Sequence, residues 1–289
     1  MAYKGKRINP KKFDRSQIKI LLIILPLVIF MAMPIIFIIN HAFKPMEELF
    51  AFPPTFFVRN ATLENFTKLV KFSQASSVPL SRYIFNSLIV TVLTVGLSVF
   101  LTTLSAFALA KIKFKGRNLL TQINQIAIMF VGTAVLIPRY IVICQTGLID
   151  TVWAHVLPLV AMPVALFLVK QFVEQVPDSL LEAAYMDGAS DWQVYCKVIM
   201  PMIKPAIATA LILVFQQVWT NMETSNYFVN DDGMKTLTFY MNTLANANNT
   251  VAGQGVAAAA SLIMFLPNLI LFIVLQRSVM NTMANSGIK

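Results

Sequence analysis

Charge is what this chain has least of. Only 12% of its 289 residues are Asp, Glu, Lys or Arg, against 57% hydrophobic, and the mean hydropathy is +0.69. A water-soluble domain carries roughly a quarter charged residues and about 45–50% apolar ones. Twenty-two phenylalanines and fifteen methionines exceed what a domain of this length hides from water in its own interior. The bilayer must do the burying. Cysteine and histidine are nearly missing too. Cys144 and Cys196 supply neither a disulfide framework nor a metal signature and read as apolar fillers on opposite sides of the membrane. His41 and His155 lie far apart, and there is no G-x-x-x-x-G-K-[ST] phosphate loop, no H-E-x-x-H helix and no G-x-S-x-G turn. These absences exclude nucleotide hydrolysis by the chain itself, leave an intramembrane enzyme without a catalytic constellation, and imply no cofactor in this chain.

What charge there is carries information by its placement. Twenty-three Lys and Arg against thirteen Asp and Glu give +10, a balance that in a soluble chain suggests nucleic acid. Here the cations flank apolar runs, so no nucleic acid is expected. Lys4, Lys6, Arg7, Lys11, Lys12, Arg15 and Lys19 precede or open the first run, which is too long for a signal-peptide core and lacks a cleavage site, so a retained segment is expected. About 20 apolar residues cross the hydrocarbon. Spans are expected near 18–40, 84–110, 119–143, 153–171, 203–225 and 254–277. They imply an all-α membrane protein with six transmembrane helices, a basic tail at 1–17 and a transmembrane domain at 18–289. With the N-terminus inside, sixteen Lys and Arg fall on the cytoplasmic side and seven outside, which places both termini in the cytoplasm.

The outer stretch from 41 to 82, with Phe52-Pro53-Pro54, is expected to form a folded cap. The triplets starting at Asn60, Asn65 and Asn248 fit the glycosylation pattern, a weak signal. Arg139 and Asp150 are placed to form an external ion pair, His155 to pack against a neighbouring helix, and Pro158, Pro163, Pro205 and Pro267 to kink their spans.

Between spans four and five lies a cytoplasmic loop, 172–202, that gathers Glu174, Asp178, Glu182, Asp187 and Asp191. It reads as two short helices. Ser179 and Glu182 fit a capping box, as do Ser190 and Gln193. Leu181, Ala184, Tyr185 and Gly188 form an apolar and small stripe suited to lie against another surface. Gly188 is placed to end the first helix in a left-handed conformation, and Met200-Pro201 to break the second.

Glu182-Ala183-Ala184, Gly188 six positions on, and Val198-x-Met200-Pro201 resemble the EAA motif of ABC importer permeases. Phe52-Pro53-Pro54, Thr62-Leu63-Glu64-Asn65-Phe66, Asn86-Ser87-Leu88, Ala106 to Ala110 before Phe114-x-Gly116-Arg117, and Gly287-Ile288-Lys289 extend the likeness to the carbohydrate-uptake subfamily, similar to the second subunit of maltose permeases. Met222 to Asn226 depart from that subfamily's pattern. The resemblance implies a type I importer permease in a prokaryotic plasma membrane. Its expected partners are a second permease subunit of different sequence, two ATP-binding subunits that hold ATP and Mg, an external solute-binding protein, and membrane lipid. It also implies that Glu182, Ala183, Ala184, Asp187, Gly188 and Ala189 form the coupling helix that docks on the ATPase.

Gln216, Gln217, Trp219, Asn221, Glu223 and Asn226 form the densest polar and aromatic group within a span. Polar groups at depth usually face a cavity, and amides beside an aromatic face suit a sugar. Interhelical hydrogen bonding explains the group as well. The function expected is therefore the permease subunit of an ATP-driven, binding-protein-dependent importer of a sugar or oligosaccharide. Permeases for amino acids, peptides or anions and an ion-coupled secondary transporter are the alternatives.

Overall fold

Long apolar runs make long helices even across Pro26, Pro34 and Pro267, and the other candidate spans are bent. The computed structural model describes residues 15–74, 77–130, 132–247 and 253–286. Most of the basic tail, the triplet at Asn248 and the terminal Gly287-Ile288-Lys289 lie outside the described residues. Helix α1 (Arg15–Phe43) carries an 18-residue apolar window none of which is buried in the isolated chain. Beyond it, α2 (Met46–Leu49) and α3 (Glu64–Gln74) fold the outer segment back as the expected cap. The pivot is Asn65, whose amide donates to the carbonyls of Ala42 and Lys44 at 3.1 and 2.8 Å. It thereby satisfies groups that a helix end leaves without a partner. Leu69 seats the same helix in the core.

Helix α4 (Leu80–Lys111) is the central span. Its face of Ser87, Thr91, Thr94, Ser98, Thr102 and Thr103 is buried, and such small side chains let neighbouring helices approach closely. The expected span 119–143 is two helices, α5 (Arg117–Met129) and α6 (Leu136–Gln145), with the pair bent by 110°. The expected span 153–171 is likewise α7 (Val152–Val160) and α8 (Pro163–Glu174), bent by 45°. Pro163 offers no N–H and forces Met162 into extended geometry (φ −115°, ψ 94°), so the break falls there.

The loop after α8 holds α9 (Asp178–Met186), α10 (Asp191–Val194), a π-helical turn at Tyr195–Ile199 and α11 (Met200–Met202). Next comes α12 (Lys204–Trp219), turned by 82° from the segment before it. The chain thus continues helically through Met200-Pro201, and the expected break moves to Ile203. The widened π turn is where a proline's missing donor is tolerated. Span five ends at Trp219, short of the expected 225, and is followed by α13 (Glu223–Tyr227) and α14 (Leu237–Ala247). Helix α15 (Gly253–Ser286) closes the fold. Among the described residues three helices are long and apolar enough to cross a membrane, and the number rises to six if each of the three bent pairs is one span. No strand occurs among the described residues.

Candidate coupling elbow and solute groove

The elbow is built by local chemistry and then bolted to the bundle. Pro177 is the N-cap and α9 starts at Asp178, one residue ahead of Ser179, so Ser179 sits inside the first turn and the expected capping box with Glu182 is not made. Asp178 occupies that first turn instead, where a carboxylate favours the helix dipole. The Lys111 side chain is nearly buried at the end of α4, and its ammonium donates to Asp178 Oδ1 and to the Val176 carbonyl, each at 2.6 Å. This bond and its charge hold the Asp178 carboxyl below the usual carboxylate range.

Helix α9 ends as the sequence suggests. Gly188 has φ +80°, its N–H donates to the Tyr185 carbonyl, and the Ala189 N–H donates to the Ala184 carbonyl, both at 3.0 Å. This is a Schellman cap. The second capping box is complete: Ser190 Oγ accepts from the Gln193 N–H and Gln193 Oε1 accepts from the Ser190 N–H. Across the bend the Tyr185 hydroxyl donates to Asp191 Oδ1 at 2.9 Å. Burial, then the Asp191 carboxylate, pushes the Tyr185 phenol above its ordinary value.

The stripe predicted to face a partner is divided. Leu181 is buried in the chain's own core with Ala184 and Ala189 packed beside it, while Val194, Tyr195 and Ile199 anchor the second arm. The Tyr195 hydroxyl meets Thr103 Oγ1 on α4 at 2.8 Å. Outward face Glu182, Ala183, Asp187 and Gly188, with Tyr185, Met186 and Trp192 as exposed apolar side chains. The elbow is therefore stiff inside and offers two carboxylates amid small and apolar surface outside.

A groove of about 460 Å³ lies among α12, α14 and α15. Each helix turns one face to it. Gln216 and Thr220 are four residues apart, Thr238, Met241, Asn242 and Ala245 follow helical spacing on α14, and Ser261, Met264, Phe265 and Asn268 do so on α15. Of the polar group expected in span five, Gln216 lines this groove. Trp219 is buried, stacks on Phe215 and donates its indole N–H to the Met264 carbonyl at 3.0 Å. Asn221 Oδ1 accepts from the N–H and hydroxyl of Thr224. Glu223 pairs with Arg139, whereas Asn226 and Gln217 are exposed. The structure thus scatters the group rather than gathering it around one point.

Asn242 and Asn268 were missed in the sequence. The signal for Asn268 was present, a lone amide beside Pro267 inside an apolar run, at helical spacing from Ser261. For α14 the run is short and mixed, without the length that marks a span.

The ion pair expected on the outer side also differs from expectation. Arg139 is paired with Glu223, and Asp150 instead accepts hydrogen bonds from the backbone N–H groups of Asn230 and Asp231 and from the Asn230 amide. Asp150 stands at φ +57° in a tight turn that aims its carboxylate at the 230 loop. Those bonds, the Asn230 N–H first, keep its carboxyl below the ordinary value. His155 is packed as expected, buried between Thr224 Oγ1 and the Met234 carbonyl. Asn65 is buried against α1 rather than displayed, which argues against its glycosylation. Both cysteines are exposed in the isolated chain, so neither fills its core.

Residues 20–279 match the family model described as binding-protein-dependent transport system inner membrane component. The inner membrane ABC transporter permease protein YcjP of Escherichia coli (strain K12) is 27% identical over 258 residues, 89% of this chain and 90% of that one. The arabinooligosaccharides transport system permease protein AraQ of Halalkalibacterium halodurans is also 27% identical, over 260 residues, with 89% and 90% covered. Among solved structures, a bacterial ABC transporter involved in the import of the acidic polysaccharide alginate has a chain that superposes with a TM-score of 0.76 at 21% identity, covering 93% of this chain and 99% of that one.

Proposed function

The chain belongs to the binding-protein-dependent transport system inner membrane components, and we propose that within that family it is a permease subunit of an ATP-driven importer of a sugar or oligosaccharide. The observation that carries this reading is the elbow, a pinned and doubly capped bend whose outer face leaves Glu182, Ala183 and Asp187 free. A thin helical face with two carboxylates, Glu182 and Asp187, suits a groove on a separate ATPase with a basic side chain at its end. ATP and Mg are then held by two such subunits. A second permease chain completes the pathway and an external binding protein delivers the solute. The relatives named for arabinooligosaccharides and alginate support a carbohydrate as cargo.

The mechanics follow from the bonds. Closure of the ATPase pair displaces α9, and the Schellman cap and the Tyr185 to Asp191 bond pass that displacement to α10 without slack. Helix α10 leads through the π turn to the 82° bend and so to α12, which lines the groove. The Lys111 and Tyr195 contacts give α4 as the other bearing. In this reading residues 172–202 form the coupling loop, residues 18–289 the permease domain, and both termini face the cytoplasm. An ion-coupled carrier finds less support, because Glu223 is neutralised by Arg139 rather than free to relay protons.

The test is uptake by the assembled transporter with Glu182→Ala and, separately, with ATP depleted. The importer loses uptake in both cases while the complex still co-purifies. Uptake that persists in both under an intact ion gradient would overturn the reading.

A further inference from the structure

None of the residues lining the groove among α12, α14 and α15 is ionisable. Its polar groups are hydroxyls and amides, and their hydrogen bonds leave a clear remainder. Thr220 and Ser261 donate to the carbonyls of Gln216 and Ala257, at 2.7 and 2.8 Å, and Thr238 donates to that of Trp219. Asn242 Oδ1 accepts from Asn246. The side-chain amides of Gln216 and Asn268 have no hydrogen-bond partner among the described residues. Asn268 follows Pro267 within α15, about 22 Å along the helix from Gly253 at 1.5 Å per residue. Gln216 is exposed and Asn268 half-buried in the isolated chain, so both amides are open to the groove, and within a bilayer such a group needs a polar partner.

An amide both donates and accepts, as a sugar hydroxyl does. The carboxylate group of a uronate only accepts, and out of water it requires a cation to offset the lost hydration. The groove has none, and Arg139, which does not line it, is already paired with Glu223. Phe265 adds an apolar surface for the C–H face of a ring.

We infer that this groove takes an uncharged glycan and selects against uronates of the same size, with Gln216 and Asn268 binding the solute hydroxyls. The inference rests on the importer reading above. It goes beyond it by assigning a site and the charge class of the cargo.

The experiment uses the whole transporter with its partner chains and binding protein, in vesicles supplied with ATP. Uptake is compared across neutral gluco- and arabino-oligosaccharides and galacturonate oligomers of matched length. The expected result is ATP-dependent uptake of a neutral member at least about tenfold above any uronate. Asn268→Ala and Gln216→Ala should each reduce that uptake about five- to tenfold, the worth of one hydrogen bond to the solute. Co-purification of the second permease should be unchanged, and Asn268→Ser should retain part of the uptake. Uronate uptake equal to or above neutral uptake, or no effect of both alanine variants, overturns the inference and leaves the importer reading standing. Loss of the second permease in Asn268→Ala also overturns it, by making that amide an interface group. Failure of wild type to take up any carbohydrate with ATP sinks the importer reading and the inference with it.

Discussion

Lys111, the last residue of the central span, reaches Asp178 in the first turn of α9 at 2.6 Å and with the same ammonium holds the Val176 carbonyl. One side chain therefore ties the elbow to the bundle at the point where the chain leaves it. Because the Lys111 side chain is only 8% exposed while that of Asp178 is 77% exposed, its carbon stem is packed and its ammonium reaches the surface.

The Asp178 carboxyl is held below the usual carboxylate range by Lys111. A depressed value means the folded state binds its proton less readily than the unfolded one. The contribution is therefore present above the ordinary carboxylate value, about 3.9, and is lost as pH falls through the folded one. The difference in melting temperature between wild type and Asp178→Asn should be constant near neutrality and vanish as pH falls below about 4. A difference that grew on acidification would contradict this anchor.

Gly188 fixes the angle of the elbow. A Cβ added there meets nothing within 4 Å, but φ is +80°, so Gly188→Ala should cost about 1–2 kcal/mol through backbone strain alone. Asn tolerates this region better, so Gly188→Asn should lie between the two. Thermal unfolding in detergent measures the cost. Uptake should fall further than stability does, because a bend of changed angle misdirects the push even where the chain folds.

The elbow was legible because its instructions are local. Ser190 and Gln193 are three residues apart, and Gly188 follows its helix directly. The inner spans were legible in number but not in shape. A hydropathy window sees apolar length, and it passes over the bends between α5 and α6 and at Met162 because the residues on both sides are apolar. Partner choice was the least legible. Arg139 is 11 residues from Asp150 and 84 from Glu223, and it is the tertiary fold, with α13 packed against α7, that places the distant carboxylate beside it. The same holds for Trp219, whose indole looks like a sugar platform in sequence and is committed to the Met264 carbonyl in the fold.

The Arg139–Glu223 pair is three-quarters buried on both sides, with each side chain 27% exposed. Removing one partner leaves the other charge with little water and no counter-ion. Arg139→Met and Glu223→Met should each destabilise the protein by about 1–3 kcal/mol, at the low end for an incompletely buried pair, and the double variant should recover most of it. A double-mutant cycle read by thermal unfolding gives the coupling. Additive losses would mean the two charges act independently.

Gly255 shows how the cap and the last span constrain each other. A Cβ built there falls 2.6 Å from Asn65 Oδ1, and Asn65 is the buried side chain that closes the end of α1 by donating to Ala42 and Lys44. Gly255→Ala must therefore displace Asn65, releasing carbonyls that have no other buried partner of this kind. The alanine gains helix propensity, worth about 1 kcal/mol. Overpacking and the lost bonds together cost more, about 1–3 kcal/mol for the first alone. The net effect should be a lower melting temperature, with the cap becoming more susceptible to protease between α2 and α3. Asn65→Ala in the same background separates the two contributions. It relieves the clash but cannot restore the bonds, so the double variant should resemble Asn65→Ala alone. If Gly255→Ala were instead neutral or stabilising, Asn65 would have to reach the α1 carbonyls from a second position, and the cap would be less tightly specified than these distances require.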